Sequence, residues 1–185
     1  LEHKADVGLG FDGDGDRCGV VDNEGHEIFA DKVGVMLARD ISARHANAVF
    51  VADVKSTGLF VTDPVLQANG AKALYWKTGH SYMKRRTAET GALAGFEKSG
   101  HYFFGTPYGR GYDDGLLSAI AICRMLDRAP SRSMADLYRD LPDSPDAQRS
   151  LALADRLVVP GLVGFTRFGY RAARKHWNPV SAYLR

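Results

Sequence analysis

Short apolar runs alternate with stretches of helical periodicity through most of the chain, and the alternation then fades. Val7 to Phe11 and Cys18 to Val21 have strand length and are separated by a polar turn; Asn23-Glu24-Gly25 turns the chain so that Glu27 to Phe29 can return as a hairpin partner. From Asp31 to His45, Val33, Met36, Leu37 and Ile41 recur with helical spacing, with Asp31 placed to cap the start. Ala48 to Val54 is β-branched and apolar, which predicts a buried strand. Asp63-Pro64 starts a helix and Asn69-Gly70 stops it. Ala71 to Trp76 reads as a strand, and after Lys77-Thr78-Gly79-His80-Ser81 a basic helix runs to Thr90, closed by Gly91. Leu93 to Phe96 and Tyr102 to Phe104 are extended. Asp113-Asp114-Gly115 opens an amphipathic helix with Leu116, Leu117, Ile120, Ile122, Met125 and Leu126 as apolar positions; Pro130 ends it, and Ser133 to Leu141 adds a short helix.

Strands alternating with helices predict an α/β layered domain. Ligands in such folds gather where strands end and loops begin. Four polar loops follow four predicted strands here: Asp12 to Arg17, Lys55 to Thr57, Thr78 to Ser81 and Glu97 to His101. Beyond Pro142 the pattern weakens. Pro142 and Pro145 bracket a polar linker, Leu151 to Val159 suits a helix or a strand, and Gly161 to Arg185 is rich in Gly, Arg and aromatics without periodicity.

Composition narrows this modestly. With 185 residues, 45% hydrophobic and 10% aromatic, the chain has length for one domain or slightly more and can bury a core. A net charge of +2 implies no bulk polyelectrolyte partner, although Ser150 to Arg185 carries six Lys/Arg against one Asp and leaves −3 for the rest. The basic tail lacks a nucleic-acid-binding motif, so no nucleic acid is expected. Cys18 and Cys123 form neither a disulfide framework nor a metal pattern, which suggests reduced thiols in a cytoplasmic protein. No apolar run is long enough for a membrane span and no signal peptide is visible, so no membrane partner is expected. The first residue is Leu1 rather than Met, which suggests a fragment.

The chemistry concentrates in Gly10-Phe11-Asp12-Gly13-Asp14-Gly15-Asp16-Arg17. Three aspartates alternating with glycines on a tight turn can point to one side and bind a hard cation through oxygen. The spacing excludes an EF-hand: counting from Asp12, the sixth and twelfth positions hold Arg17 and Asn23 instead of Gly and Glu. Arg17 and Lys55 supply positive charge, His80 and His101 can move protons or donate hydrogen bonds, and Glu97 with Ser99 suits sugar hydroxyls. A metal site, cations and histidine are what phosphoryl transfer needs, so the residues alone point to Mg²⁺-dependent chemistry on a phosphorylated polyol. Elsewhere, His3, His26, His45 and His176 have terminal, surface or tail contexts. Lys84-Arg85-Arg86 reads as a solvated helix face, Asp113-Asp114 as a helix cap, and Cys18 as a packed thiol.

Taken together, these motifs resemble the α-D-phosphohexomutase superfamily. Phe11-Asp12-Gly13-Asp14-Gly15-Asp16-Arg17 is similar to its metal-binding loop, and Phe96-Glu97-Lys98-Ser99-Gly100-His101 to its sugar-binding loop. Asp53-Val54-Lys55, Thr78-Gly79-His80-Ser81 and Gly111-Tyr112-Asp113-Asp114-Gly115 resemble the phosphomannomutase/phosphoglucomutase branch. The resemblance implies a mixed β-sheet flanked by helices, as in one repeat of the phosphohexomutase fold. It implies Mg²⁺ on Asp12, Asp14 and Asp16, with the fourth ligand a phosphoserine oxygen. Arg17 would meet the transferring phosphoryl group or substrate, and Glu97 and Ser99 the sugar 3- and 4-hydroxyls. Lys55, Gly79, His80, Lys98 and His101 would line the cleft, the histidines for proton transfer or positioning and Lys55 for electrostatics. The implied reaction interconverts mannose or glucose 1-phosphate and 6-phosphate through a bisphosphorylated sugar.

Two departures stand out. Phe96 replaces the usual glycine before the glutamate, and Lys98 adds a cation near the sugar. The family's serine loop (T-A-S-H-N-P-like) and its phosphate-clamping loop (R-x-S-x-T/E-P-like) have no counterpart. Residues 1–30 are therefore expected to be the end of a second domain, 31–141 a third domain, and 142–185 a linker and atypical basic tail, with the remaining domains of the same protein as partners and no turnover by this chain alone. A phosphoglucosamine mutase portion, or a non-catalytic sugar-phosphate or metal-binding module, are the alternatives.

Overall fold

The computed structural model describes residues 3–143. Three strands, β1 (Val7–Phe11), β2 (Cys18–Asp22) and β3 (Glu27–Ile28), form an antiparallel sheet in chain order. Phe11 pairs with Cys18, so Asp12 to Arg17 is the loop of a β-hairpin. The second turn is held by Asp22, whose Oδ1 accepts from the backbone N–H groups of Glu24 and His26 at 2.8 and 2.9 Å. Burial pushes the Asp22 carboxyl up, but these bonds and the His26 ring outweigh it and leave it below its ordinary value.

The chain then builds α1 (Ala30–Ser42), β4 (Val49–Asp53), α2 (Leu59–Thr62), α3 (Pro64–Ala68), β5 (Lys72–Trp76), α4 (His80–Thr90), β6 (Ala94–Phe96), β7 (Tyr102–Phe104), α5 (Gly115–Asp127) and α6 (Met134–Arg139). The second sheet has the order β5-β4-β6-β7. β4 is parallel to both neighbours, and β7 returns antiparallel to β6. The fold is therefore α/β, with a mixed sheet flanked by helices. Period-two alternation serves two faces. Phe50, Ala52, Phe96, Tyr102 and Phe104 join the main core with α1, α5 and α6, while Val51, Met83, Ala92 and Phe103 form a smaller core under α4. Gly95 lets α4 approach β6: a Cβ there would collide with Thr87 Oγ1.

The strand and helix readings hold with ends shifted by at most three residues. Asp63 caps α3 through the N–H groups of Val65 and Leu66, and Gly91 ends α4 in the left-handed conformation (φ 62°). Several details differ. Asp31 does not cap α1; the N-cap position is Phe29, and Asp31 lies buried in the first turn, accepting from Thr57 N at 2.9 Å. That bond ties its carboxylate inward to the loop after β4. The short helix α2 was not foreseen, because four residues carry no readable period. Leu116 and Ile120 are exposed, since small residues (Gly115, Ser118, Ala119) take the inward positions of α5. Lys84 and Arg86 are not a purely solvated face: each lies 4.4 Å above a ring centroid, of Tyr112 and Trp76 respectively. No helix among the described residues is long and apolar enough to cross a membrane. The expectations for Leu151 to Val159, for His176 and for the basic tail lie outside the described residues.

Candidate functional site

The hairpin geometry places Asp12, Asp14 and Asp16 so that one oxygen of each lies within 4.8 Å of the others. Arg17 folds back over this group: its backbone N–H reaches Asp12 Oδ1 at 3.2 Å and its Nε reaches Asp12 Oδ2 at 2.5 Å. Burial would raise the Asp12 carboxyl, but the Arg17 bonds bring it down to about 2. Asp16 behaves oppositely. Desolvation and the neighbouring carboxylates push it up, against the pull of His101, and its buried Oδ1 has no hydrogen-bond partner. A buried, unsatisfied carboxylate oxygen beside two further carboxylates fits a divalent cation with oxygen preference.

The loop between β6 and β7 lies against this hairpin. Arg17 and His101 form an antiparallel bridge, and Cys18 N donates to Gly100 O at 3.3 Å. His101 Nε2 is 3.4 Å from Asp16 Oδ1, and its Nδ1 is 3.2 Å from Glu97 Oε2 and 2.9 Å from Ser99 Oγ. The Glu97 bond raises the His101 imidazole above its ordinary value, against desolvation and with help from Asp16. Glu97 is buried and its carboxylate is already engaged. Oε1 accepts from Gly79 N at 2.6 Å, and Oε2 accepts more loosely from Ser99 Oγ at 3.4 Å. Desolvation works to raise Glu97, but His101 and Gly79 N outweigh it and the group sits below its ordinary value. Gly79, at φ 128°, presents that amide in a conformation side chains disfavour. Cys18 is packed, and burial pushes its thiol up to about 11.

Thus Asp12, Asp14, Asp16, Arg17, Gly79, Glu97, Ser99 and His101 come together. His80 joins them: its ring lies 6.2 Å from that of His101. Lys98 turns its ammonium towards Asp31, 4.0 Å from Oδ2. Lys55 stands on the exposed turn after β4, and among the described residues its ammonium makes no ion pair.

The acidic loop follows β1, as read from the sequence. It is the tip of a separate antiparallel sheet and does not follow a strand of the α/β sheet; backbone pairing to Arg17 and Cys18 docks it on the loop between β6 and β7. Sequence reasoning missed three residues. Asp113 does not merely precede a helix capped by Asp114. Its carboxylate lies 3.3 Å from His80 Nδ1 and groups with Asp16 and His101. Gly115 donates its N–H to Gly15 O at 3.0 Å, and a Cβ on it would stand 2.6 Å from that same oxygen. Asp53 binds groups from three loops. The only signal for these was their place in the quoted motifs, because their partners are distant in sequence.

Comparison with known proteins agrees with this geometry. The family model for phosphoglucomutase/phosphomannomutase, alpha/beta/alpha domain III, matches residues 29–144. A phosphomannomutase/phosphoglucomutase of Pseudomonas putida is 39% identical over 142 residues, covering 77% of this chain and 30% of that protein. A phosphoglucosamine mutase of Syntrophomonas wolfei is 32% identical over 166 residues, 88% of this chain and 36% of that protein. The crystal structure of a phosphoglucomutase/phosphomannomutase family protein from Burkholderia thailandensis superposes with a TM-score of 0.65 at 36% identity, covering 75% of this chain and 29% of that one. The chain spans about a third of the length of these relatives. On the family-model match and the shared fold, it belongs to the phosphoglucomutase/phosphomannomutase family, within the α-D-phosphohexomutase superfamily.

Proposed function

We propose that this chain is the metal-binding and sugar-reading part of a phosphomannomutase/phosphoglucomutase, which reversibly transfers phosphate between C1 and C6 of a hexose. The observation that carries this is the docking of the acidic hairpin onto the sugar loop through the Arg17–His101 bridge and the Asp16–His101 contact. It puts a cation-binding group and hydroxyl-reading residues side by side.

Asp12, Asp14 and Asp16 would hold Mg²⁺, which would supply charge neutralisation for a transferring phosphoryl group. Arg17, which covers Asp12 here, is the cation placed beside this group to meet the phosphoryl oxygens. Ser99 and Glu97 take two sugar hydroxyls. Glu97 gives up its long bond to Ser99 while Oε1 keeps Gly79 in place, and Lys98 flanks the same sugar. His101, held between Glu97 and Asp16, donates or receives the hydroxyl proton at the transfer, and His80 supports it from Asp113. Lys55 adds positive potential at the rim. The phosphoryl donor is a phosphoserine on another domain of the same protein, and the sugar turns over as a bisphosphate between two transfers. Residues 1–30 close a second domain, 31–141 form the third, and 142–185 form a linker and basic tail. The working compartment is the cytoplasm.

Titration of the chain with mannose 6-phosphate and glucose 6-phosphate in Mg²⁺, followed by amide NMR, tests this reading. Saturable shifts at Gly79, Lys98 and Ser99 are expected. Ser99→Ala removes one hydrogen bond to the sugar and weakens binding by about tenfold, on the order of 1 kcal/mol. No saturable shift with either sugar overturns the reading, and preference for glucosamine 6-phosphate redirects it to a phosphoglucosamine mutase. Binding without turnover in the full-length gene product leaves a non-catalytic module.

A further inference from the structure

We infer that Asp53 is the positioning residue that sets the sugar loop against the loops on either side. Asp53 is the last residue of β4, the strand between β5 and β6, and it is fully buried. Its carboxylate gathers a donor from each of the three loops at that edge of the sheet. Ser56 Oγ donates to Oδ1 from its own turn. Thr78 Oγ1 donates to Oδ2 at 3.0 Å from the loop after β5, and Lys98 N donates to Oδ1 at 3.3 Å from the loop after β6.

No ion pair reaches Asp53 among the described residues; Lys98, whose backbone N–H it accepts, directs its ammonium to Asp31 instead. A buried carboxylate served only by hydroxyl and amide donors is costly to keep, and an apolar residue would suit the interior better. What the carboxylate does here is geometric. Thr78 and Lys98 directly adjoin Gly79 and Glu97. Pinning both to one carboxylate fixes the distance across which Gly79 N and Glu97 Oε1 meet at 2.6 Å. Ser99 and His101, which follow Lys98, inherit that placement. Asp53 itself touches neither metal nor sugar: it acts through the backbone of the loops.

The consequence for a hexose phosphate rests on the proposed function, whereas the clamp itself does not. Both are tested on the full chain with Asp53→Ala, Asp53→Asn and Thr78→Val, reading amide hydrogen exchange at Gly79 and Lys98, the melting temperature, and the Kd for mannose 6-phosphate. Asp53→Ala is expected to speed exchange at both amides and to raise Kd by roughly tenfold or more, as losing about one well-placed hydrogen bond would. Asp53→Asn, which keeps an oxygen for Lys98 N, recovers most of that loss. Thr78→Val, which removes one half-buried loop donor and leaves the core intact, speeds exchange at Gly79 with little change in melting temperature; it decides the matter if the alanine variant does not fold. Unchanged exchange at Gly79 in Thr78→Val, with Asp53→Ala unchanged at both amides or unfolded, overturns the clamp. If the wild-type chain binds no hexose phosphate while the exchange pattern follows the expectation, the clamp stands and the functional reading fails.

Discussion

At the scale of single residues, buried carboxylates organise this protein more than its hydrophobic composition suggests. Asp63 is the clearest. The pair Asp63-Pro64 announces a helix start, and the structure has Asp63 capping α3. The sequence does not disclose that the same carboxylate, fully buried, takes the Arg39 guanidinium through both Nε and the terminal nitrogen, the latter at 2.6 Å. The partner is 24 residues away on another helix, and only folding brings them together. Removing one member leaves an uncompensated buried charge, so Asp63→Ala is expected to cost about 3–5 kcal/mol in a urea titration. Arg39 also reaches the half-exposed Asp140; Asp140→Ala is expected to cost no more than about 1 kcal/mol. Equal losses for the two would refute the difference in burial as the cause. Asp12, Asp14, Asp16, Glu97 and Ser99 were legible for another reason: their chemistry is concentrated in short, motif-like loops.

At the scale of elements, period and punctuation carried most of the reading. Strands of alternating burial, the Asp63-Pro64 and Asn69-Gly70 boundaries and Gly91 were all visible in the chain. The inward face of α5 was visible in part: Ile122 and Met125 are buried as the period predicts, whereas Gly115, Ser118 and Ala119 also turn inward and leave Leu116 and Ile120 exposed. Gly115 has a specific task there. Its missing Cβ leaves room for Gly15 O and Arg17 O, at 2.6 and 2.8 Å from where that atom would stand. Gly115→Ala improves the propensity of α5 yet must push the acidic hairpin away. The expected result is a preserved helical signal by circular dichroism with NMR shifts at Asp12 to Arg17; no shift in that loop would contradict the steric account. The other hairpin turn gives a pH dependence. The folded Asp22 sits below its ordinary value of 3.8, so its contribution is fully present above that value and is lost as pH falls through the lower folded value. Asp22→Asn is therefore expected to be less stable than wild type at neutral pH, with the difference shrinking in acid. A constant difference down to the acid transition would show that ionisation of Asp22 is not the source.

At the scale of the whole molecule, the fold class was readable because strand-and-helix alternation leaves few architectures. The docking of the acidic loop was not, since nothing local says that residues 10–17 meet residue 101. The chain covers about 30% of the length of its Pseudomonas relative, and three aspartates leave coordination positions for oxygens from elsewhere. Isolated, it is expected to bind Mg²⁺ weakly, without a saturable calorimetric signal at micromolar metal; tight binding would contradict a site shared with another domain. The most direct test replaces the aligned segment of the Pseudomonas putida phosphomannomutase/phosphoglucomutase with Ala5 to Leu141 of this chain and follows glucose 1-phosphate to glucose 6-phosphate in a coupled assay. The hybrid is predicted to convert the sugar and to lose conversion on Asp14→Asn. A folded hybrid, matching the parent in circular dichroism and melting, that converts none while the parent does so contradicts the assignment of these loops to metal and sugar.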